Sequence, residues 1–434
     1  MTHIRAPRGT IDVFPEKPGI WQRLEETVRS VCRNAGYTEI RTPIFEHTEL
    51  FQRGVGESTD IVEKEMYTFL DKGERSITLR PEGTAPVVRA YLEHKMWAGP
   101  QPVKVYYIGP MFRYERPQLG RLRQHTQFGV EALGASSPAL DAEVISILIS
   151  VYQHLGLSGF VVRLNSIGCS ECRPRYKESL VNLLSEHVDE LCADCRRRLR
   201  RNPLRVLDCK NERCAILAKE LPPIFEYLCE DCSRHFGGVT ECLKALDLVY
   251  ELDPTIVRGL DYYTKTVFEV VHSGLGAQDA LGGGGRYDGL AEELGGTQTP
   301  GVGFAAGIER AVQVLQDAGD KETSTDAGEV TVFIAAMGDE AKIEAFRITH
   351  ALRKQGISTD IDYLDRSLRA QMKYADRQGV KTVVIIGEDE LKGDYVIVRD
   401  MVTGEQTRVP FGDLIKVLTQ NTILSKDLKL PREK

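Results

Sequence analysis

VKVYYIGPMFRYERPQLGRLRQHTQFGVEALG, residues 103–134, decides the fold. Two arms rich in β-branched and aromatic residues, VKVYYIGPMF and QFGVEAL, flank a polar segment. Pro117 and Gly120 in that segment are turn formers, so the stretch reads as an antiparallel hairpin. Alternate residues of a strand share one face. By that parity Arg113 and Glu115 point the same way on the first arm, and Arg121, Arg123, His125, Gln127 and Glu131 share a face on the second. Phe128 falls on the opposite face. A stripe of cations, carboxylates, an amide and an imidazole suits a substrate carrying both phosphate and amine groups. The wet side of an antiparallel sheet is polar for ordinary reasons as well. Several guanidiniums on one stripe, however, repel each other unless an anion sits among them.

Outward from the hairpin, the chain has the size for two or three domains: 434 residues, 42% of them hydrophobic. Its net charge of −7 is modest, so a nucleic-acid partner would meet local basic patches rather than a basic field. No apolar run approaches the ~20 residues needed to span a bilayer, and the start has no apolar signal-like region. A non-membrane, cytoplasmic protein is the expectation.

Upstream, Pro18 opens an amphipathic helix in which Trp21, Leu24, Val28, Val31 and Ala35 recur every three or four residues, ended by Gly36. TEIRTPIFE reads as a short strand whose Pro43 confines it to an edge or a subunit boundary. Residues 78–94, TLRPEGTAPVVRAYLEH, read as a strand end, a turn and a helix starting near Pro81, with Glu82 placed to cap it. Downstream, SPALDAEVISILISVYQHLG is a helix with Leu140, Val144, Ile147, Leu148, Val151 and Leu155 on its apolar face. FVVRLNSIG is a strand. The composition then changes at Cys169, where an insertion over 169–242 is expected. Residues 317–329 are polar and without period, the mark of a linker between a catalytic domain over 1–320 and a domain over 330–425. In that last domain strands alternate with helices, which argues for a small α/β unit with a partly parallel sheet.

Nine of the ten cysteines lie between Cys169 and Cys242, too local for a disulfide framework. Cys169–Cys172 and Cys192–Cys195 are CxxC pairs separated by 19 residues, the spacing of a structural four-cysteine zinc site. Reduced buried thiols are the other reading. Cys229–Cys232 is a third pair. CRRRLRRNPLR, residues 195–205, holds six arginines and fits either a solvated helix face or a phosphate contact.

FRYE at 112–115 with RLRQ and QFGVE after the loop resembles motif 2 of the class II aminoacyl-tRNA synthetases. RGLDYY at 258–263 and GGRYDGL at 284–290 are similar to the two signature peptides of the histidyl-tRNA synthetase family, and GFAAGIER at 303–310 resembles motif 3. RGTIDVFP at 8–15 resembles the family's entry peptide. The likeness runs over the whole chain. It implies an α+β fold: a class II catalytic domain on a mostly antiparallel sheet, a cysteine-rich helical insertion, and a C-terminal α/β anticodon-binding domain. It implies a homodimer built on the first helix, the short strand and Pro43. It also implies ATP-dependent activation of L-histidine to the adenylate and transfer to tRNA(His), with ATP, Mg2+ and both substrates as partners.

By resemblance, Arg113 holds the α-phosphate and Arg258 supplies positive charge beside the reacting carboxylate. Glu115 accepts from the adenine amino group and Arg310 meets the γ-phosphate. Free amides at the turn before Ile308 favour anions there on physical grounds too. Glu82, Gly83, Thr84 and Gln127 surround the α-ammonium; Glu131 and Tyr263 face the two ring nitrogens, and Tyr262 lines the pocket. Gly282 to Gly285 allow a close backbone approach, or simply a tight turn. Arg116, Gln118 and Arg123 are implied contacts of the tRNA acceptor end. The chain departs from the class pattern where a phenylalanine usually stacks on adenine; His125 stands there, and its flat ring is expected to replace the phenyl group. Two rivals remain: the synthetase-like, non-enzymatic regulatory subunit of ATP phosphoribosyltransferase, and another class II synthetase. The intact RGLDYY and the full domain beyond 330 weigh against the first.

Overall fold

In a computed structural model describing residues 3–14, 18–56, 59–117, 120–209, 211–257, 260–275, 280–317 and 330–419, the hairpin lies within an eight-stranded sheet. The strands before it are β1 (Thr38–Glu39), β2 (Phe45–His47), β3 (Tyr67–Leu70) and β4 (Ser76–Leu79). The hairpin is β5 (Val103–Phe112) and β6 (Gln124–Leu133), followed by β7 (Phe160–Ser166), β8 (Tyr250–Leu252), β9 (Thr264–His272), β10 (Ala280–Arg286) and β11 (Gly301–Gly307). Their order is β1-β5-β6-β11-β10-β9-β7-β8. Only the outermost pairs, β1 with β5 and β7 with β8, run parallel. The sheet is therefore mostly antiparallel, as expected. TEIRTPIFE is not one strand: β1 lies at the sheet edge, while β2 joins β4 and β3 in a small separate sheet, and Pro43 falls in the gap. A residue without a backbone N–H breaks the ladder there.

Register fixes which residues face the site. Phe128, Val130 and Ala132 of β6 are fully buried beneath the sheet with Val302 and Phe304 of β11. The intervening Gln127, Gly129 and Glu131 point to the other face. The buried face is covered by three helices: α1 (Pro18–Asn34), α4 (Pro138–His154) and α10 (Ile308–Asp317). At roughly 2 kcal/mol per fully buried branched side chain, Leu24, Val28, Val144, Leu148 and Val151 outweigh any surface ion pair in holding this layer. The apolar stripe of α1 is used within its own chain.

Over the opposite face, a turn of Glu82 and Gly83 opens α3 (Thr84–Glu93), three residues later than the Pro81 expectation. The insertion is helical throughout its main elements: α5 (Cys172–Glu186), α6 (Ala193–Arg201), α7 (Glu212–Glu220) and α8 (Glu230–Ala245). It is not a loose appendage. Phe236, Val239 and Leu243 of α8 join the core beneath the sheet. Tyr176, Leu180 and Leu217 pack in one cluster with Tyr262, Tyr263 and Tyr287. The arginine run mostly braces its surroundings. Arg196 donates to the carbonyls of Val188 and Leu191, Arg198 donates to that of Arg205, and Arg201 and Arg205 pair with Glu63 and Asp60.

The chain divides into two compact units, residues 1–323 and 324–434. Residues 318–329, most of the expected linker, lie outside the described residues. In the second unit β12 (Val332–Ala336) runs parallel to both β13 (Thr359–Ile361) and β14 (Thr382–Ile386), with β15 (Tyr395–Asp400) and β16 (Gln406–Pro410) antiparallel beyond them. Ile348 and Leu352 from the helix Asp339–Lys354 pack on this sheet.

Candidate active site

Glu82 anchors the site. Its carboxylate accepts from the backbone N–H groups of Thr84 at 2.7 Å and Ala85 at 2.9 Å, so it satisfies two orphan donors at the start of α3. Burial raises its pKa. Besides capping, Glu82 lines a cavity of about 340 Å³. Thr84, Arg113, Glu115, Arg121, His125, Gln127, Tyr262, Tyr263, Glu309 and Arg310 line it too. Gly282 and Gly283 bring backbone to its wall.

Arg113 and Glu115 lie past the end of β5, and Arg121 precedes β6, so strand parity does not place them. Backbone bonds do: Arg113 N–H donates to the Arg123 carbonyl at 2.9 Å, closing the hairpin one step further. The Arg113 Nε donates to the Pro81 carbonyl at 2.8 Å, which aims its guanidinium beside the start of α3. Arg121 Nη1 lies 3.1 Å from Glu115 Oε2. Arg310, in the first turn of α10, donates to the carbonyls of Ala280 at 2.6 Å and Gly120 at 3.1 Å. Burial lowers its pKa, and so do the nearby charges of Arg121 and Arg113. Three guanidiniums therefore face one cavity and repel one another. Such a site is pre-organised for a polyanion.

His125 lines the cavity beside them, and burial with the charges of Arg113 and Arg310 pushes its pKa down to about 3. The ring is therefore neutral at physiological pH. Gln127 presents a buried Oε1 that has no hydrogen-bond partner among the described residues.

Glu131 is set differently from expectation. It does not line the cavity; its carboxyl is fully buried behind Thr84, whose hydroxyl donates to it at 2.7 Å, and it also bonds the Tyr287 hydroxyl. Burial raises its pKa to about 8, partly offset by those two hydroxyls. Space for it exists because β11 carries Gly303 opposite: a Cβ there would overlap Glu131 Oε2. Tyr107, Tyr262 and Tyr287 complete an aromatic shell, all with pKa raised by burial. Gly83 likewise has no room for a side chain, since a Cβ would run into the Tyr107 ring.

Some candidates are elsewhere. Arg123 does not line the cavity; its guanidinium stacks on the Tyr114 ring at 3.8 Å, its stem packs over Gly9, and its N–H donates to the Gly9 carbonyl. Arg116 is exposed outside the cavity lining. Arg258 and Gln118 lie outside the described residues, although Leu260, Tyr262 and Tyr263 of the same signature peptide line the cavity. The four cysteines proposed as one metal set do not meet. Cys169 and Cys172 cluster with Cys229 and Cys232, whereas Cys192 and Cys195 cluster with Cys209 and Cys214. Spacing along the chain cannot show which pair folds against which.

The sequence reading also missed residues. Glu309 lines the cavity, accepts from the Thr126 N–H at 2.7 Å, and burial raises its pKa to about 7. Its signal was adjacency to Arg310 in GFAAGIER. Arg286 of GGRYDGL is completely buried, pairs with Asp141 at 2.8 Å and Asp288 at 3.1 Å, and donates to the Ala135 carbonyl. His235 Nε2 of α8 lies 3.0 Å from the same Asp141, so this ion cluster ties β10, α4 and the insertion together.

A mostly antiparallel sheet with guanidiniums gathered at the hairpin mouth and at a helix start, in a chain that also carries a separate α/β unit, is the architecture of a class II aminoacyl-tRNA synthetase. Comparison with known proteins narrows the class. The family model described as histidyl-tRNA synthetase matches residues 9–311, and an anticodon binding domain model matches residues 331–421. A histidine–tRNA ligase of Halothermothrix orenii is 54% identical over 95% of this chain and 98% of its own length. One from Desulfitobacterium hafniense is 53% identical over 96% of this chain and 97% of its own. The crystal structure of apo Staphylococcus aureus histidyl-tRNA synthetase superposes with a TM-score of 0.81 at 41% identity, covering 96% of this chain and all of that one. The chain belongs to the histidyl-tRNA synthetase family, and with it to the aminoacyl-tRNA ligases. The regulatory-subunit rival is set aside by the full-length identity to ligases and by the anticodon-domain match.

Proposed function

We propose that the cavity joins L-histidine to ATP as histidyl-adenylate and passes the histidyl group to tRNA(His). The observation that carries this reading is a single cavity lined by Arg113, Arg121 and Arg310 together with Glu82, Thr84 and Gln127. Negative charge builds on the α-phosphate during attack by the carboxylate, and fixed cations in a part-buried site stabilise it without reorganisation. Arg113 takes that phosphate, Arg310 the γ-phosphate, and Glu115 with the neutral ring of His125 the adenine. Arg258 is assigned the second cation at the reacting centre. Glu82, Thr84 and the unpartnered Gln127 Oε1 receive the α-ammonium, with Gly83 keeping the turn close. Glu131 reads the imidazole by exchanging a hydroxyl partner for a ring nitrogen, with Tyr263 at the other nitrogen and Tyr262 at the wall.

Mg2+ fits as the companion of ATP. Glu309 offers a buried Oε2 with no hydrogen-bond partner among the described residues, and it would hold the ion while Mg2+ neutralises charge on the pyrophosphate. Arg116 and Gln118 are assigned to the tRNA acceptor end, with Arg123 holding the loop through Tyr114 instead of touching RNA. The C-terminal unit is assigned the anticodon. We place the dimer surface on the small sheet of β2, β4 and β3, where Ile44, Phe45, Phe69 and Leu70 are exposed, and the enzyme in the cytoplasm with its tRNA. No helix among the described residues is long and apolar enough to cross a membrane. Histidine-dependent exchange of pyrophosphate into ATP tests the reading: exchange with proline, threonine or glycine but not histidine would overturn it. A sedimentation measurement showing only monomer would overturn the dimer.

A further inference from the structure

The insertion brings eight of its cysteines into two groups of four, and within each group the four sulfurs lie within 4.8 Å of one another. No disulfide joins any of them. We propose that each group binds one zinc ion, so that the chain carries two tetrathiolate sites: a root site of Cys169, Cys172, Cys229 and Cys232, and a tip site of Cys192, Cys195, Cys209 and Cys214.

The distances fit one ion per group. Zinc–sulfur bonds of about 2.3 Å in a tetrahedron require sulfurs about 3.8 Å apart. Cys169 Sγ lies 3.6 Å from Cys172 Sγ and 3.9 Å from Cys229 Sγ, and Cys192 Sγ lies 3.8 Å from Cys209 Sγ. The surroundings suit four thiolates rather than four thiols. At the root, the N–H groups of Glu171 and Cys229 donate to Cys169 and Cys172 sulfurs at 3.4 and 3.1 Å. At the tip, the N–H groups of Cys192, Cys195 and Asn211 donate to Cys214, Cys192 and Cys209 sulfurs at 3.3, 3.4 and 3.4 Å. Backbone donors to ligand sulfurs are the usual outer support of such a site. Cys172 begins α5, while Cys192 and Cys229 are the N-cap residues of α6 and α8, so the positive ends of three helices meet the sulfur clusters. Apolar packing alone gives no reason for amides to converge on sulfur.

The two sites do different things. The tip site joins the start of α6 to Cys209 and to Cys214 of α7. The root site ties the start of α5 to the start of α8, and it adjoins the histidine pocket. Arg173, next to Cys172, donates to the Tyr263 carbonyl at 2.6 Å, and the Lys265 N–H donates to the Gly168 carbonyl at 2.9 Å. Zinc at the root therefore holds the segment that carries Tyr262 and Tyr263.

Zinc is measured by mass spectrometry on full-length protein purified without chelator, which reads the sites independently of whether the enzyme charges tRNA(His). Two zinc per chain are expected, released together with titration of eight thiolates by a mercurial. Protein grown with cobalt should show the thiolate-to-metal absorption of tetrahedral Co2+ at twice the intensity of a single site. C169S/C172S and C192S/C195S should each retain one zinc. The root variant should raise the KM for histidine several-fold while leaving that for ATP within twofold, and the tip variant should leave both within twofold. Less than one zinc per chain, iron in its place, disulfides in the purified protein, or metal lost to EDTA without a fall in thermal stability would overturn the proposal. One zinc per chain in the wild-type protein would overturn the division into two sites.

Discussion

Replacing Glu131 by glutamine should make the protein more stable at alkaline pH and leave it nearly unchanged at acid pH. A carboxyl group near 4.5 in water is held at about 8 in the fold, chiefly because burial penalises its charged form. Below pH 4.5 the folded and unfolded chains both carry the proton, and this group's contribution to stability is fully present. As pH rises toward 8 the unfolded chain gives up its proton while the folded chain keeps it, so stability is lost across that window. The loss is at most about 5 kcal/mol, from about 1.4 kcal/mol for each pH unit between the two values. No discount for solvent screening applies to a fully buried group. Glutamine imitates the protonated acid: it keeps the volume, accepts through Oε1, and offers Nε2 to whichever of Thr84 and Tyr287 turns its hydroxyl to accept. Urea unfolding of the wild type and Glu131→Gln at pH 5 and pH 9 reads the effect directly. The two should agree to within about 1 kcal/mol at pH 5, with the variant gaining several kcal/mol on the wild type by pH 9. A stability difference that is the same at both pH values would refute the buried, protonated carboxyl.

Arg113→Ala should lower histidine-dependent pyrophosphate exchange by about 10²- to 10³-fold while leaving the unfolding midpoint unchanged; a loss below tenfold would remove Arg113 from the phosphate. His125→Phe should leave the ATP KM unchanged or lower it. Because the ring titrates near 3, the wild-type ATP KM should show no inflection from it between pH 5.5 and 8; a severalfold rise in KM for the variant would show that the imidazole does more than stack. Asp141→Ala leaves the buried Arg286 guanidinium with Asp288 as its carboxylate partner and should cost up to about 3 kcal/mol of stability, visible as a fall in Tm without a selective change in either substrate's KM. Gly303→Ala should abolish histidine activation even where folded protein is recovered, since its Cβ would overlap the Glu131 carboxyl.

Local rules carried the hairpin. The alternation along β6 separates the buried Phe128 and Val130 from Gln127 and Glu131, and the turn at Gly120, with φ of +70°, falls in the polar segment between the two arms. They failed where a side chain's partner is distant in sequence. Arg123 has the right residue type and parity for a phosphate contact, yet Tyr114 takes its guanidinium and Gly9 its amide. The cysteine pairs show the same limit. Each CxxC predicts two adjacent sulfurs on one turn, but α5 must fold back on α8 before the other two are known, and the nearer pair in sequence turns out to belong to another cluster.

Long-range pairing also decides the chemistry of Glu131. Its strand position marks a polar residue facing a site. Its state is set by Thr84, Tyr287 and the lack of a side chain at Gly303, which arrive from three other elements. Burial raises its pKa to about 8 against the two hydroxyls, which favour the charged form. A charged carboxylate at that place would favour any cation that entered the cavity, including a lysine ammonium. In the reading proposed above, a neutral acid flanked by hydroxyls instead offers a donor and acceptors to a ring that itself has one of each, and discriminates by pairing rather than by charge.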